Sequence, residues 1–266
     1  DQQASVILDY NPSERDQLNL TSNLSFSPNN QKTYDLGTIM RDASGAVDST
    51  LRTLTALEDD RLNFSFDLNY ERKLKKEGAT LKANAHYTYY ELTRVQEGST
   101  DYFDPSGAFL RNFTFATDAF QDIDIFTTQA DYYTPIASGS LEGGVKGSFI
   151  RSASRIDYLD VEDPQPPFDI ALSDRFTYDE DVYAAYASLN KDWEPWTLKL
   201  GLRPEHTEVK AASETLEEIN WQSYTELFPS VYFSRALGED HSLALTYNRR
   251  LTRPNYQDLN PFRFFL

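Results

Sequence analysis

The stretch Arg61–Leu74, RLNFSFDLNYERKL, decides the fold of this chain, because apolar and polar residues alternate in it without interruption. The apolar positions are Leu62, Phe64, Phe66, Leu68 and Tyr70. A period of two residues places all of these side chains on one face of a β-strand and the polar ones on the other. The stretch therefore predicts a strand with one apolar face.

The same alternation recurs in pairs of segments that are joined by short turns. The predicted strands are Ala4–Asn11, Asp16–Pro28, Arg61–Leu74, Ala79–Arg94, Asp122–Thr134, Leu141–Ser152, Tyr178–Asp192, Trp196–Lys210, Ser223–Arg235 and His241–Thr252. Longer stretches separate the pairs and are predicted as loops, over residues 29–59, 95–121, 153–176 and 211–222. The first of these loops has room for a short helix over Ser49–Leu57.

The composition of the 266-residue chain excludes several classes of function. A formal net charge of −17 argues against nucleic-acid binding, which needs a basic surface to neutralise phosphates. The lack of cysteine excludes disulfide scaffolds, thiol catalysis and thiolate metal sites. No apolar run approaches the roughly 20 residues of a membrane-spanning helix. A membrane span built from β-strands is still compatible with this composition. The aromatic content of 14% fits the rings of aromatic residues that such barrels carry at both membrane interfaces.

The predicted connections between strands alternate between short turns and long loops. This alternation distinguishes a membrane barrel from a soluble all-β fold. Outer-membrane barrels combine short periplasmic turns with long extracellular loops, and most of the negative charge here falls in the long connections. Trp193 and Trp196 flank a short turn, where a periplasmic aromatic girdle is expected. These features favour an antiparallel, up-and-down transmembrane β-barrel that forms a single domain over residues 1–266. The alternative is a soluble β-sandwich or propeller.

The polar face of the strands is where transport is expected to act, because this face lines the lumen of a membrane barrel. The predicted lumen-facing, substrate-binding residues are Lys82, His86, Lys146, Lys199, Arg203 and Glu205. The alternative is that these side chains solvate the lumen and pair with one another or with a domain inside it.

Catalytic and metal-binding constellations are not evident in the sequence. The three histidines are widely separated, so no histidine metal site is predicted. Serine catalysis needs a positioned base and acid, and no such motif occurs, so no enzymatic activity is expected. An acidic group offers oxygen ligands for calcium but lacks the register of a calcium loop, and a solvated rim is the alternative. Its members are Asp157, Asp160, Glu162 and Asp163.

The C-terminal part of the chain resembles a known family of membrane proteins. The string Arg249–Phe262, RRLTRPNYQDLNPF, resembles a motif in the barrel of TonB-dependent outer-membrane receptors of Bacteroidetes-type bacteria. Tyr178–Leu189, YDEDVYAAYASL, and Leu200–Glu205, LGLRPE, match the same family, and Phe228–Val231 is a weaker match. The motif positions are Arg249, Arg250, Arg253, Pro254, Tyr256, Leu259, Asn260 and Pro261.

The resemblance implies a barrel of about 22 strands, plugged by an N-terminal domain that receives energy from an inner-membrane complex. Roughly ten strands are predicted here, and neither a plug domain nor an energy-coupling box is found. The chain is therefore expected to be a piece from the middle of such a barrel. The resemblance places it in the bacterial outer membrane, in contact with lipid and lipopolysaccharide, its own plug domain, the energising complex and a surface lipoprotein.

The function that the resemblance implies is energy-coupled uptake of a bulky nutrient, without a cofactor in this part of the protein. Siderophore, cobalamin, oligosaccharide and peptide are all open as substrates. The alternative from a different class is a soluble or surface-attached β-rich binding module, for example for glycans. A third hypothesis, an outer-membrane barrel enzyme, lacks a recognisable catalytic constellation.

Overall fold

A computed structural model describes residues 1–160, 173–238 and 240–251, which form one antiparallel sheet of ten strands. The strands are β1 (Gln2–Ser13), β2 (Asp16–Arg41), β3 (Val47–Lys73), β4 (Thr80–Phe103), β5 (Phe109–Ile136), β6 (Gly139–Asp160), β7 (Asp174–Trp193), β8 (Trp196–Ser213), β9 (Glu218–Ala236) and β10 (Ser242–Asn248). Each strand pairs with its neighbours in sequence, and β1 and β10 are the edges of the open sheet. The described part of the chain contains no helix long and apolar enough to cross a bilayer. The all-β, up-and-down prediction is confirmed.

The alternating stretch that predicted a strand lies in β3, between β2 and β4. From Arg61 onward it pairs with both neighbours without a shift, so that Leu68 faces Leu20 and Ala85 across the sheet. Lateral neighbours share a face, and the apolar residues of one strand therefore continue those of the next. The register propagates the alternation of a single strand across the sheet.

The two faces of the sheet differ in composition and in burial, and we name them the outer and the inner face. The outer face carries an exposed apolar band, which includes Leu8, Leu24, Phe126, Val145, Tyr183, Leu200, Leu227 and Leu245. The inner face carries most of the buried side chains, which include Asp59, Tyr158, Phe176, Tyr178, Val182, Ala184, Glu205 and Thr207. The described residues form only this one sheet, so burial on the inner face results from curvature toward it. The arrangement is that of a barrel wall and not of a sandwich with two facing sheets.

The outer apolar band has the height of a membrane crossing. On β3 it runs from Leu62 to Tyr70, within the roughly 9–11 residues of a tilted transmembrane strand. At the edge near the short turns, Trp196 stacks on Phe233 with ring centroids 5.0 Å apart, and the Arg235 guanidinium lies 4.6 Å above the Trp196 ring. This is the aromatic and cationic border expected where a barrel meets the membrane interface.

The prediction of long loops is wrong for the connections that the structure describes. Residues 29–59, 95–121 and 211–222 are continuations of paired strands, closed by short turns at 42–46, 104–108 and 214–217. The helix considered over Ser49–Leu57 is likewise part of β3. Pairing in the ladder satisfies many backbone N–H and C=O groups of these segments, whereas irregular loops of this length would leave them to water. In the fourth predicted loop β6 ends at Asp160 and β7 begins at Asp174, and residues 161–172 lie outside the described part.

Two of these turns share one sequence pattern and one geometry. In Asp42–Ala46, DASGA, and Asp104–Ala108, DPSGA, the Asp Oδ1 accepts hydrogen bonds of 2.6 to 3.0 Å from the Ser hydroxyl and from two backbone N–H groups. The hydrogen bond from Ser106 is the main reason that the pKa of Asp104 lies below its usual range. The glycines of the two turns have φ of +85° and +84°, in the left-handed region that disfavours a side chain. The pattern DxSGA therefore specifies where these strands reverse.

Aromatic packing supports the extended hairpins beyond the apolar band. Phe103 and Phe109 meet edge to face beside the second of these turns, with ring centroids 6.1 Å apart. Phe115 stacks on Tyr158 of the next strand at 5.7 Å, and its ring lies over Gly98, where an added Cβ would collide with it. Stacked pairs of this kind add about 0.5–1.5 kcal/mol beyond their area burial. These aromatic contacts therefore stabilise the hairpins beyond the apolar band.

We expect Gly107→Ala to lower the free energy of unfolding by about 1–2 kcal/mol, because alanine disfavours the positive φ at this turn. Gly37→Ala is the matched control. An added Cβ has open space at both positions, but the φ of Gly37 is not positive. Urea unfolding of the detergent-folded protein measures both changes, and equal effects of the two substitutions would contradict the assigned turn geometry.

Candidate functional site

The inner face carries all six residues that the sequence predicted to point into the lumen. One row of lateral partners crosses six strands and consists of Asn69, Asn84, Gln129, Lys146, Ala184 and Glu205. Lys82 and His86 lie two residues to either side of Asn84, and Lys199 and Arg203 share the parity of Glu205, so all of them have the same orientation. The structure brings these residues onto one surface. Their contact with a substrate stays a prediction.

Two of the six residues are paired with acidic partners on β3. Lys82 Nζ lies 3.2 Å from a carboxylate oxygen of Glu71. His86 Nδ1 lies 2.6 Å from Asp67 Oδ1, and its Nε2 lies 2.8 Å from Thr88 Oγ1. Lys82 and His86 are thus each paired with a carboxylate on the neighbouring strand.

The line formed by Asp67, His86 and Thr88 has the order of a catalytic triad but lacks the rest of a hydrolase site. A triad acts with an oxyanion hole of free N–H donors. β4 is paired on both sides at this height, to β3 and to β5, so its backbone N–H groups are used in the ladder. The arrangement fixes the orientation of the imidazole and offers nothing to stabilise a tetrahedral intermediate.

A second group of predicted residues is joined on β7 and β8. Arg203 donates to Glu205 Oε2 from Nε at 3.0 Å and from a terminal nitrogen at 2.8 Å. The ladder is interrupted at Pro204, which has no N–H, and the Arg203 guanidinium lies 5.7 Å from the Tyr186 ring across the gap. Lys199 Nζ lies 5.7 Å from the ring of Tyr232. The charge of Arg203 is compensated by Glu205 within the wall.

The motif that carried the resemblance is described at its first two positions. Arg249 forms an ion pair with Glu226 on β9, and one of its nitrogens donates to the backbone carbonyl of Leu227 at 2.9 Å. Arg250 is exposed. The remaining positions lie outside the described residues: Arg253, Pro254, Tyr256, Leu259, Asn260 and Pro261. The ion pair holds the first arginine of the motif against β9.

The acidic group considered for calcium is only partly described. Asp157 lies 3.0 Å from the Arg155 guanidinium and is paired with it. The side chain of Asp160 and the residues Glu162 and Asp163 lie outside the described part of the chain. Among the residues that the structure describes, no three His, Cys, Asp or Glu side chains cluster as metal ligands.

A β-bulge in β2 adds residues to the inner face that the sequence did not predict. Ser27 pairs with Arg61 and Asn30 with Asp59, so two residues of β2 oppose a single residue of β3. Asn29 has φ of +52° in this bulge, and its N–H donates to a carboxylate oxygen of Asp60 at 2.6 Å. One extra residue reverses the facing of the strand beyond it. Lys32, Tyr34 and Leu36 therefore point to the inner face.

Beside the bulge lies a carboxylate shared by two arginines. Asp59 is 1% exposed and accepts hydrogen bonds from Arg94 Nε at 2.6 Å, from an Arg94 terminal nitrogen at 3.0 Å and from Arg61 at 2.6 Å. The hydrogen bonds from Arg94 are the main reason that the pKa of Asp59 lies below its usual range, and Arg61 adds to the effect. We refer to Asp59, Arg61 and Arg94 as the arginine clamp.

The arginine clamp borders a cavity of about 630 Å³ on the inner face, beyond the apolar band. Side chains from β2 to β7 line it, including Tyr34, Leu36, Leu57, Leu92 and Phe176. The cavity lies within the hairpin extensions that the sequence predicted as loops. It was missed for that reason and because the bulge has no clear signal in the sequence.

Comparison with known proteins identifies the family. The group described as the outer membrane protein beta-barrel family matches residues 72–266, which is most of the chain. The chain belongs to this family. It is therefore a protein of the bacterial outer membrane. None of the curated proteins has a matching sequence.

Solved structures similar to this member of the outer membrane β-barrel family include three whose names describe a transporter or a receptor. The ferric citrate transporter FecA is 13% identical with a TM-score of 0.36, over 91% of this chain and 43% of that one. The ferric yersiniabactin uptake receptor FyuA from Yersinia pestis is 11% identical with a TM-score of 0.39, over 90% and 43%. The siderophore receptor PiuA from Acinetobacter baumannii is 9% identical with a TM-score of 0.39, over 93% and 47%. The chain spans less than half the length of these receptors.

We expect Asp59→Ala in this outer membrane β-barrel protein to lower the free energy of unfolding by about 1–3 kcal/mol, because it leaves two guanidiniums without their carboxylate. Asp35→Ala is the matched control. It removes a two-bond pair with Arg52, 3.1 and 2.7 Å long, that is exposed and should contribute at most about 1 kcal/mol. Denaturant titration measures both, and equal losses would show that the arginine clamp is no more important than a surface pair.

The effect of Asp59 should depend on pH in a defined direction. Its folded pKa lies below the unfolded value, so its stabilising contribution is complete above about pH 4 and disappears as the pH falls through the folded pKa. The difference in stability between the unsubstituted protein and Asp59→Ala should therefore shrink in acid. A difference that grows as the pH falls would contradict this assignment.

Proposed function

We propose that this chain is part of the barrel wall of an energy-coupled outer-membrane receptor that takes up a bulky nutrient such as a siderophore, cobalamin or an oligosaccharide. The proposal rests on one observation, which is that the two faces of the curved sheet differ in polarity. The outer face is an exposed apolar band and the inner face carries rows of polar and charged side chains. The C-terminal motif adds the resemblance to TonB-dependent receptors.

A wide barrel with a plug is favoured over a narrow open one. Ten strands form an open sheet with two edges, and a barrel that closes with about 22 strands has a lumen that must be filled. The inner face offers polar side chains to such a filling domain, among them Asn69, Asn84 and Gln129. The soluble or surface-attached binding module is disfavoured, because it leaves the outer apolar band without a covering partner.

The turns at 42–46 and 104–108 belong to the extracellular rim in this proposal, and the short turns at Lys75 and Glu194 to the periplasmic rim. At the border between the apolar band and the extracellular hairpins, Arg151 lies 2.6 Å from a carboxylate oxygen of Asp181 on the outer face. Charged groups at this height suit contact with lipopolysaccharide headgroups. The extended hairpins would meet a surface lipoprotein where the receptor works with one.

Labelling of single cysteines in the full-length protein tests this topology, since this chain contains none. On intact cells a membrane-impermeant maleimide should label Ser106→Cys in the extracellular turn. It should label Lys75→Cys only after the outer membrane is permeabilised. Lys146→Cys on the inner face should react slowly while the plug is present and as fast as Ser106→Cys once the plug is deleted. Fast labelling of Lys146→Cys in the full-length protein would indicate an open pore instead.

A second experiment in the same cells tests whether uptake depends on cellular energy. Uptake is measured as loss of the growth-limiting nutrient from the medium, with and without the protein. A protonophore should stop uptake by the proposed receptor, whereas diffusion through an open channel would continue.

A further inference from the structure

The cavity above the apolar band has the size and the mixed lining of a site for a small organic molecule. Its volume of about 630 Å³ falls within the usual range of roughly 300–1,000 Å³ for such sites. It opens on the concave face, and six adjacent strands contribute to it, so its shape is set by the ladder and not by mobile connections.

One end of the cavity is cationic. In the arginine clamp two guanidiniums share one carboxylate, which leaves one net positive charge beside the cavity. Lys32 pairs with Leu57 and therefore lies one inner-face row from Asp59, on the same side of the cavity. These groups carry two net positive charges in a protein whose formal net charge is −17.

The other charged groups at the cavity do not reverse this balance. Asp35 is paired with Arg52 at 2.7 Å, and Arg155 is paired with Asp157 at 3.0 Å. Asp174 is the remaining carboxylate, and it accepts hydrogen bonds from Ser213 Oγ at 2.9 and 3.1 Å on the opposite side. Lys32, Arg94 and Arg155 of the lining balance its three carboxylates, and with the ion-pair partners Arg61, Arg52 and Asp157 counted the whole group keeps an excess of one positive charge.

Apolar side chains form the body of the cavity between these ends. They are contributed by Leu36, Leu57, Leu92, Ile156 and Phe176, and Tyr34 adds a phenol ring near Arg94. An apolar or aromatic molecule gains about 25 cal/mol for each Å² that it buries against such a surface. A purely inorganic anion would leave this surface unused.

We propose that the cavity binds an amphiphilic organic carboxylate, with its carboxylate at Lys32 and the arginine clamp and its apolar or aromatic body against Leu36, Leu57, Leu92 and Phe176. Arginine offers paired N–H donors that match a carboxylate, and the partial enclosure strengthens this attraction relative to open water. The proposal rests on the proposed function, because a receptor presents this face to ligands that arrive from outside. It adds the chemical class of the ligand.

Calorimetry with two matched probes tests the proposal in the full-length protein in lipid nanodiscs. The probes are 1-naphthoate and 1-naphthamide, which share one ring system and differ in charge. We expect saturable binding of 1-naphthoate with an affinity at least tenfold above that of 1-naphthamide. Lys32→Gln should weaken 1-naphthoate binding about three- to tenfold and leave 1-naphthamide unchanged. Lys75→Gln, in a turn at the opposite end of the strands, is the matched control and should change neither.

Tyr34→Ala tests the apolar part of the cavity and should weaken the binding of both probes, because it removes contact area and not charge.

Equal binding of the two probes, with no effect of Lys32→Gln, would show partition into apolar surface and overturn the proposal. Absence of saturable binding of 1-naphthoate would overturn it as well. If the maleimide pattern of a plugged receptor is found while 1-naphthoate fails, the ligand class is wrong and the receptor function stands. If the maleimide pattern also fails, the receptor function itself is wrong.

Discussion

The structure depends on one constraint, which is that every backbone N–H and C=O group at membrane depth needs a partner within the protein. An antiparallel ladder meets most of this need for β2 to β9, each of which has a neighbour on both sides, and between β7 and β8 it is interrupted at Pro204, which has no N–H. A barrel wall with lipid on one face and water on the other requires side chains that alternate between apolar and polar. The alternation from Leu62 to Tyr70 follows from this constraint.

The ladder does not stop where the membrane ends, and this continuation creates the candidate site. β2 to β5 extend as paired hairpins to turns built on the DxSGA pattern. The bulge at Asn29 then reverses the facing of β2 and brings Lys32, Tyr34 and Leu36 to the inner face. Asp59 holds Arg61 and Arg94 at the border between band and hairpins. A local break in the register thus places a cationic group beside an apolar cavity.

The elements that the sequence predicted well are those where membrane and water impose opposite demands on the two faces. The ten strands, their order and the orientation of Lys82, His86 and Lys146 follow from the period of two within the band. Beyond the band the inner face also carries apolar side chains, among them Leu36 and Leu57, so the alternation of apolar and polar residues weakens. The segments 29–59 and 95–121 therefore resemble loops in sequence although they are paired strands.

The candidate site was less predictable for the same reason. The register of β2 changes at Asn29. The alternation of residues 16–26 therefore predicts the wrong face for Lys32 and Tyr34, which lie beyond this change. The sharing of Asp59 by Arg61 and Arg94 depends on pairing between β3 and β4, which lies outside local sequence patterns. The DxSGA turns, in contrast, carry a local signal that marks the strand reversals.

The most direct test of the central claim is an accessibility scan along β3 in lipid bilayers. Single cysteines placed in turn at residues 62 to 70 carry a spin label, and its accessibility to oxygen in the lipid and to a nickel complex in water is measured. Labels at Leu62, Phe64, Phe66, Leu68 and Tyr70 should be accessible from lipid, and labels at Asn63, Ser65, Asp67 and Asn69 from water. Accessibility without a period of two, or water on both faces, would contradict the assignment of this sheet as a membrane barrel wall.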